Sequence, residues 1–243
     1  MYYNMQVHSA YDLLNSTIKY ESLFSKLVKD NQNSVIIVDP NMYGAIKAYK
    51  ASKKAGINLI QGLEVSLGYG IGLLKFNLLC KTEKMFYKLL EISTKFMNGE
   101  EWTVEDFSND MVDYREDFVL IVVDELRDSM EFSYLKNLLS KYDFYFGFNE
   151  SFQIGLYSDY DNIVYTKPSF YLNKEHYQQV IVSRAIRDNK KLNIQELTTI
   201  SGEDFVREQK DFEEILVPGD EELHIIFEKS FANQKKIIDS CHY

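Results

Sequence analysis

The chain has 243 residues, 45% hydrophobic and 14% aromatic, with 3 prolines and 11 glycines, which excludes disorder and suits one large α/β domain or two small ones. Its net charge of −10 argues against gripping a nucleic-acid backbone over much of the surface, because that affinity needs clustered Lys and Arg; a protein partner fits better. Cys80 and Cys241 form no CxxC pair, the start lacks a signal-peptide pattern, and no apolar run approaches the ~18 residues of a membrane span, so a reduced cytoplasmic protein is expected.

Strand-like and helix-like patterns then alternate. Asn15, Ser16 and Thr17 offer capping side chains before Ile18, Leu23, Phe24, Leu27 and Val28 at near-helical spacing. The run Ser34-Val35-Ile36-Ile37-Val38-Asp39 is apolar on both faces and ends in a carboxylate, which suits a parallel strand covered by helices. A helix is expected over 43–55 with Gly56 as its stop, then extended pieces at 57–60 and 63–67, a strand over 73–80 and a helix over 83–96. Residues 98–115 are acidic and resist assignment. The pattern resumes with a strand over 118–124, a helix around 134–139, strands at 144–148 and 163–166, and helices over 174–187 and 221–240. Repeated βα units with parallel strands imply either a barrel or an open doubly wound sheet, and periodicity does not choose between them.

Several segments carry a family likeness. Val7-His8-Ser9-Ala10-Tyr11-Asp12-Leu13-Leu14-Asn15 resembles the opening of the polymerase-and-histidinol-phosphatase (PHP) domain of bacterial DNA polymerase III alpha subunits, where a first strand ends in a His-x-His pair. Val38-Asp39-Pro40-Asn41-Met42-Tyr43-Gly44-Ala45 is similar to that family's Thr-Asp-His-Gly-Asn-Met-Phe-Gly segment. Ala55-Gly56-Ile57 followed by Gly62-Leu63-Glu64-Val65, then Leu78-Leu79-Cys80-Lys81-Thr82-Glu83 and Tyr171-Leu172-Asn173-Lys174-Glu175, resemble later family elements in the same order. The resemblance implies a distorted TIM-like β/α barrel of about seven βα units with extra C-terminal helices, and residues 1–243 as a single PHP domain. It also implies that palm, thumb and fingers lie beyond Tyr243.

Active members of the family bind metal ions through His, Asp and Glu at the strands' C-terminal ends, and these ions activate water and clamp a phosphate ester. Position by position, the resemblance implies a decayed site. The His-x-His pair reads Gln6-Val7-His8, the His after Asp39 has become Pro40, and Glu64 stands at the bridging carboxylate. Lys75 occupies a ligand position with a cation, and Pro168 and Phe170 replace the last Asp-x-His. Only His8, Asp39 and Glu64 keep suitable donors, too few for a multinuclear centre. In its place, a polar cluster is expected in which His8 hydrogen-bonds to Glu64 or Asp39 and Lys75 pairs with either carboxylate, because buried carboxylates need partners. His176 reads as a polar residue on an exposed helix side.

The expected function is therefore that of a non-catalytic structural and interaction domain of a replicative, DNA-directed DNA polymerase. No cofactor is expected for the domain itself, and Mg²⁺ for the parent enzyme. Its partners would be the remaining polymerase domains, with the clamp, clamp loader and exonuclease as replisome candidates and DNA reached through the parent enzyme. The alternatives are an active metal-dependent phosphoesterase and an interaction module unconnected with replication.

Overall fold

The computed structural model describes residues 2–124, 129–149, 158–193, 202–214 and 221–241. Eight strands form one curled sheet: β1 (Gln6–Val7), β2 (Ser34–Asp39), β3 (Asn58–Tyr69), β4 (Gly72–Cys80), β5 (Phe118–Val122), β6 (Asp143–Phe148), β7 (Ile163–Tyr165) and β8 (Pro168–Ser169). Their spatial order is β7-β6-β5-β4-β3-β2-β1-β8. Although β7 and β8 stand at opposite ends of that order, only Thr166 and Lys167 separate them in the chain. Two residues span at most about 11 Å between Tyr165 and Pro168, so the sheet must curl until its ends meet. The expected distorted barrel is what this topology produces.

The expectation of parallel strands throughout needs correction. β1–β2, β2–β3, β5–β6, β6–β7 and β1–β8 are parallel, but β4 runs antiparallel to both β3 and β5. The extended pieces at 57–60 and 63–67 are one strand, β3, which turns straight into β4 at Gly70 and Ile71. Gly70 adopts φ 56°, the left-handed conformation a two-residue hairpin demands, and no helix intervenes there.

The helices are α1 (Tyr20–Lys29), α2 (Ala45–Ala55), α3 (Glu83–Met97), α4 (Val104–Asp110), α5 (Ser129–Leu139), α6 (Tyr177–Arg187), α7 (Gln209–Glu213) and α8 (Glu221–Ser240). Gly56 ends α2 in the left-handed conformation, as the sequence implies. Asn15, Ser16 and Thr17 do not cap α1, which starts after Lys19 without a side-chain cap. Ser16 Oγ instead donates to the His8 carbonyl at 2.6 Å, tying the loop to the barrel mouth. In the unassigned stretch 98–115, Thr103 and Asp106 form a reciprocal capping box that starts α4.

Alternate residues of each strand serve two cores. Ile36, Val38, Ile60, Leu79, Val119, Ile121 and Val164 fill the barrel interior together with Ile237, Ile238 and Cys241 at the end of α8. Val35 and Ile37 face α1 and α2, joining Leu23, Phe24, Leu27 and Ala48. Gly62 lets β3 pass close beneath its neighbours, since a Cβ there would lie 2.6 Å from Val38 Cγ1 and 2.9 Å from the Leu78 carbonyl.

Helix α8 also bridges the seam. Gln234, fully buried, accepts from Tyr3 N at 3.1 Å and donates to the Tyr165 carbonyl at 2.9 Å, linking the segment before β1 to the end of β7. Ser230 Oγ accepts from Tyr165 N at 2.7 Å. Replacing Gln234 by Leu removes a hydrogen-bond partner from the buried Tyr3 N–H and Tyr165 carbonyl, and urea unfolding is expected to register a loss of about 2 kcal/mol. A loss under about 0.5 kcal/mol would mean the seam is held by other contacts.

Candidate functional site

The C-terminal ends of β1 and β2, the middle of β3 and the first half of β4 bring the site together. His8 directly follows β1 and its backbone N donates to the Ser169 carbonyl at 2.9 Å, so the ladder to β8 fixes its position. Asp39 is the last residue of β2. Glu64 stands opposite Asn77 in the antiparallel ladder, with Lys75 two residues before Asn77 on the same face. That diagonal lies within reach of a long side chain.

Glu64 is the hub. Its Oε1 is 3.5 Å from Lys75 Nζ, and its Oε2 is 3.6 Å from His8 Nε2 and accepts from Gln6 Nε2 at 3.4 Å. The carboxylate side chain is 14% exposed and the lysine 51%, so Lys75 reaches in from solvent while Glu64 stays mostly covered. On the other side of the imidazole, Nδ1 is 3.1 Å from Asp12 Oδ2. These separations suit ion pairing, although neither ring nitrogen is aligned for a hydrogen bond. Of the two carboxylates expected as alternatives, Glu64 is the one that His8 and Lys75 approach, and among the described residues neither ion-pairs with Asp39.

Asp39 is satisfied elsewhere. Ser9 donates to it twice, through its backbone N to Oδ1 and its hydroxyl to Oδ2, each at 2.6 Å. The Ser9 hydroxyl is also hydrogen-bonded to the Tyr20 hydroxyl at 3.0 Å. Burial outweighs these bonds and pushes the Asp39 carboxyl up to about 6. Burial, the largest effect at His8, disfavours the imidazolium. The contact with Asp12 and the charges of Glu64, Asp12 and Asp39 overcome it, so the imidazole's pKa is raised. Burial also opposes ionisation of Asp12, yet His8, Asn15 and Arg184 together hold its carboxyl below the usual range.

Asp12, Asn15 and Arg184 are the members that position-by-position reading missed. Asn15 Nδ2 donates to Asp12 Oδ2 at 2.7 Å, and Arg184 Nε donates to Asn15 Oδ1 at 3.0 Å. The Arg184 guanidinium lies 4.5 Å from the Phe170 ring centre, and Phe170 in turn stacks on His8 at 4.6 Å. Asp12 was within view, four residues after His8, but a loop residue with no regular spacing gives no sign of where its side chain turns. His176 ends a 3-10 turn before α6 and is partly rather than fully exposed; among the described residues it has no contact with this cluster.

The donor set does not suit a metal cluster. Phe170 puts an aromatic face on His8, Pro168 pairs with Gln6 in the β1–β8 ladder and offers no donor, and Pro40 follows Asp39 with none. Asp39 already takes two hydrogen bonds, and an ammonium already neighbours Glu64. Among the described residues no three His, Cys, Asp or Glu side chains converge as a metal ion requires. Asn77, across the β3–β4 ladder from Glu64, is fully buried with both amide atoms lacking a protein hydrogen-bond partner.

The raised Asp39 value has a definite consequence. An unfolded Asp ionises near 3.8 and this one near 6, so between those values the folded chain holds a proton that the unfolded chain has lost. Stability from this group is thus greatest at low pH and falls as pH rises from about 4 to about 6. Relative to Asp39→Asn, wild type is expected to lose on the order of 2–3 kcal/mol across that interval in urea titrations at stepped pH. A constant difference would contradict the assignment.

The model of the PHP domain matches residues 4–181. The chain is 25% identical over 230 residues to DNA polymerase III subunit alpha of Staphylococcus epidermidis, covering 87% of this chain and 21% of that protein. It is 40% identical over 95 residues to DNA polymerase III subunit alpha of Bacillus subtilis, covering 37% of this chain and 8% of that one. The match therefore spans about a fifth of the first relative's length and less of the second. A solved amidohydrolase from Chromobacterium violaceum, described with bound sulfate and no metal, is 12% identical with a TM-score of 0.42, covering 60% of this chain and 76% of that one. Among the described residues no helix is long and apolar enough to cross a membrane.

Proposed function

Because this chain belongs to the PHP domain family, we propose that residues 1–243 are the N-terminal PHP domain of a replicative DNA polymerase similar to DNA polymerase III subunit alpha, and that the domain works without catalysis of its own. The observation that carries this reading is the Lys75 ammonium 3.5 Å from Glu64. A metal-dependent phosphoesterase would need a divalent cation near that carboxylate, and a lysine beside it would oppose such an ion electrostatically while meeting the same need for positive charge.

On this reading the domain lends structure and binding surface to its parent enzyme in the cytoplasm. The parent adds deoxynucleotides with Mg²⁺ held by carboxylates in domains beyond Tyr243. The partners are those downstream domains and replisome proteins such as the clamp, clamp loader and exonuclease. DNA is reached through the whole enzyme, since a chain of net charge −10 makes a poor phosphate-binding surface by itself. Similarity to polymerase alpha subunits over 87% of the chain supports the parentage.

The rival reading, an active phosphoesterase, draws on the persistence of His8, Asp39 and Glu64 at one barrel mouth. It is tested by elemental analysis of purified chain and a chromogenic phosphatase assay in manganese. The expected result is less than about one-tenth equivalent of tightly bound transition metal and no turnover above the metal-only blank. Stoichiometric metal with turnover that is lost in Glu64→Gln would overturn the proposal.

A further inference from the structure

Away from the barrel mouth, α2 and α3 flank a cleft of about 370 Å³ lined by Ile46, Tyr49, Gln61, Glu83, Phe86 and Tyr87. On α2, Ile46, Tyr49, Lys50 and Lys53 follow at i, i+3, i+4 and i+7, and α3 repeats that spacing with Glu83, Phe86, Tyr87 and Leu90. Apolar residues at this spacing normally enter a core, but this stripe mixes Ile46 and Tyr49 with Lys50 and Lys53. Here α2 enters the core through Ala45, Ala48 and Ser52 instead. The stripe is left outside, with Ile46 58% exposed, Tyr49 45% and Tyr87 62%.

The charge on this wall runs against the rest of the molecule. In a chain of net charge −10, α2 carries Lys47, Lys50, Lys53 and Lys54 and no acidic residue. Lys47 meets Glu21 at 3.6 Å between two exposed side chains, and Lys53 Nζ stands 5.1 Å over the Tyr49 ring. Lys50 and Lys54 have no ion pair among the described residues. On the floor, Gln61 is buried and its Nε2 donates to the Ala45 carbonyl, while its Oε1 has no protein hydrogen-bond partner.

We infer that this cleft docks an acidic amphipathic segment of a partner protein, with an apolar side chain entering between Tyr49 and Tyr87 and carboxylates facing Lys50 and Lys53. Half-exposed tyrosines beside a hollow are the anchors such interfaces use, and the lysine row supplies register and attraction to carboxylates. Single-stranded nucleic acid would also value lysines and aromatic rings, but the hollow is walled by Ile46 and Phe86, which suit an aliphatic anchor better than a phosphate backbone. The inference is independent of whether the barrel mouth holds metal.

The test titrates the isotope-labelled 243-residue chain with a synthetic helical peptide of Leu at i, i+3, i+4 and i+7 and Glu elsewhere. A matched Leu/Lys peptide and oligothymidylate serve as comparators, all followed by NMR. The Leu/Glu peptide is expected to shift the resonances of Ile46, Tyr49 and Tyr87 and leave that of His8 in place. Lys50→Glu with Lys53→Glu, both on exposed positions and checked for fold by circular dichroism, is expected to weaken it about tenfold and to admit the Leu/Lys peptide. Tyr87→Ala is expected to weaken it by a similar factor. The inference is overturned if the Leu/Glu peptide fails to bind, if it binds no better than the Leu/Lys peptide or shifts a different face, or if oligothymidylate binds this face more tightly. Self-association abolished by Tyr87→Ala, read by light scattering, would also overturn it by assigning the face to a second copy.

Discussion

Glu64 meets Lys75 at one oxygen and His8 and Gln6 at the other. A mostly buried carboxylate at a barrel mouth must be compensated, and Lys75 and His8 offer it positive charge while Gln6 offers a hydrogen bond, all from the chain itself. The rest of the mouth is arranged around that compensation. His8 stays charged more readily because Asp12 backs it, Asp12 is steadied by Asn15, and Asn15 is held by Arg184 from α6. The Arg184–Phe170–His8 stack adds an apolar lid on the imidazole. Removing one member leaves a neighbour's charge unmatched in a poorly solvated place, which is why such a network resists piecemeal change.

The barrel makes this network possible by fixing the strand ends. β1 is only two residues long and owes its place to β2 on one side and β8 on the other. β8 is held near it because the chain leaves β7 and crosses the seam within two residues. The buried amide of Gln234 serves both sides of that seam, and the end of α8 fills the barrel interior. The C-terminal helix thus supports a site made from the N-terminal strand.

Much of the frame was legible because its signals are local. The doubly apolar run 34–39 became a strand buried on both faces, and Gly56 ended its helix where a left-handed residue is cheapest. The antiparallel β4 was not legible, since a strand's composition is silent about its direction. The hairpin at Gly70-Ile71 replaced the helix that a parallel crossover would need. Ser16 is a capping residue by type, but its hydroxyl found the His8 and Phe170 carbonyls, a tertiary choice that outweighed the local one. In the site, the family likeness pointed to His8, Glu64 and Lys75, which do meet. It also grouped Asp39 with them, whereas the structure commits Asp39 to Ser9 and brings in Asp12. Partners supplied by loops escape any reading based on spacing.

We propose that side-chain cations occupy the place beside this carboxylate that an inorganic ion would otherwise take. Crystals grown in excess manganese and measured at the manganese absorption edge address it directly. The account predicts no anomalous peak within reach of His8, Asp39 and Glu64, and a Lys75 ammonium resting against Glu64. Two or more strong peaks seated among those three side chains, with Lys75 swung outward, would contradict it.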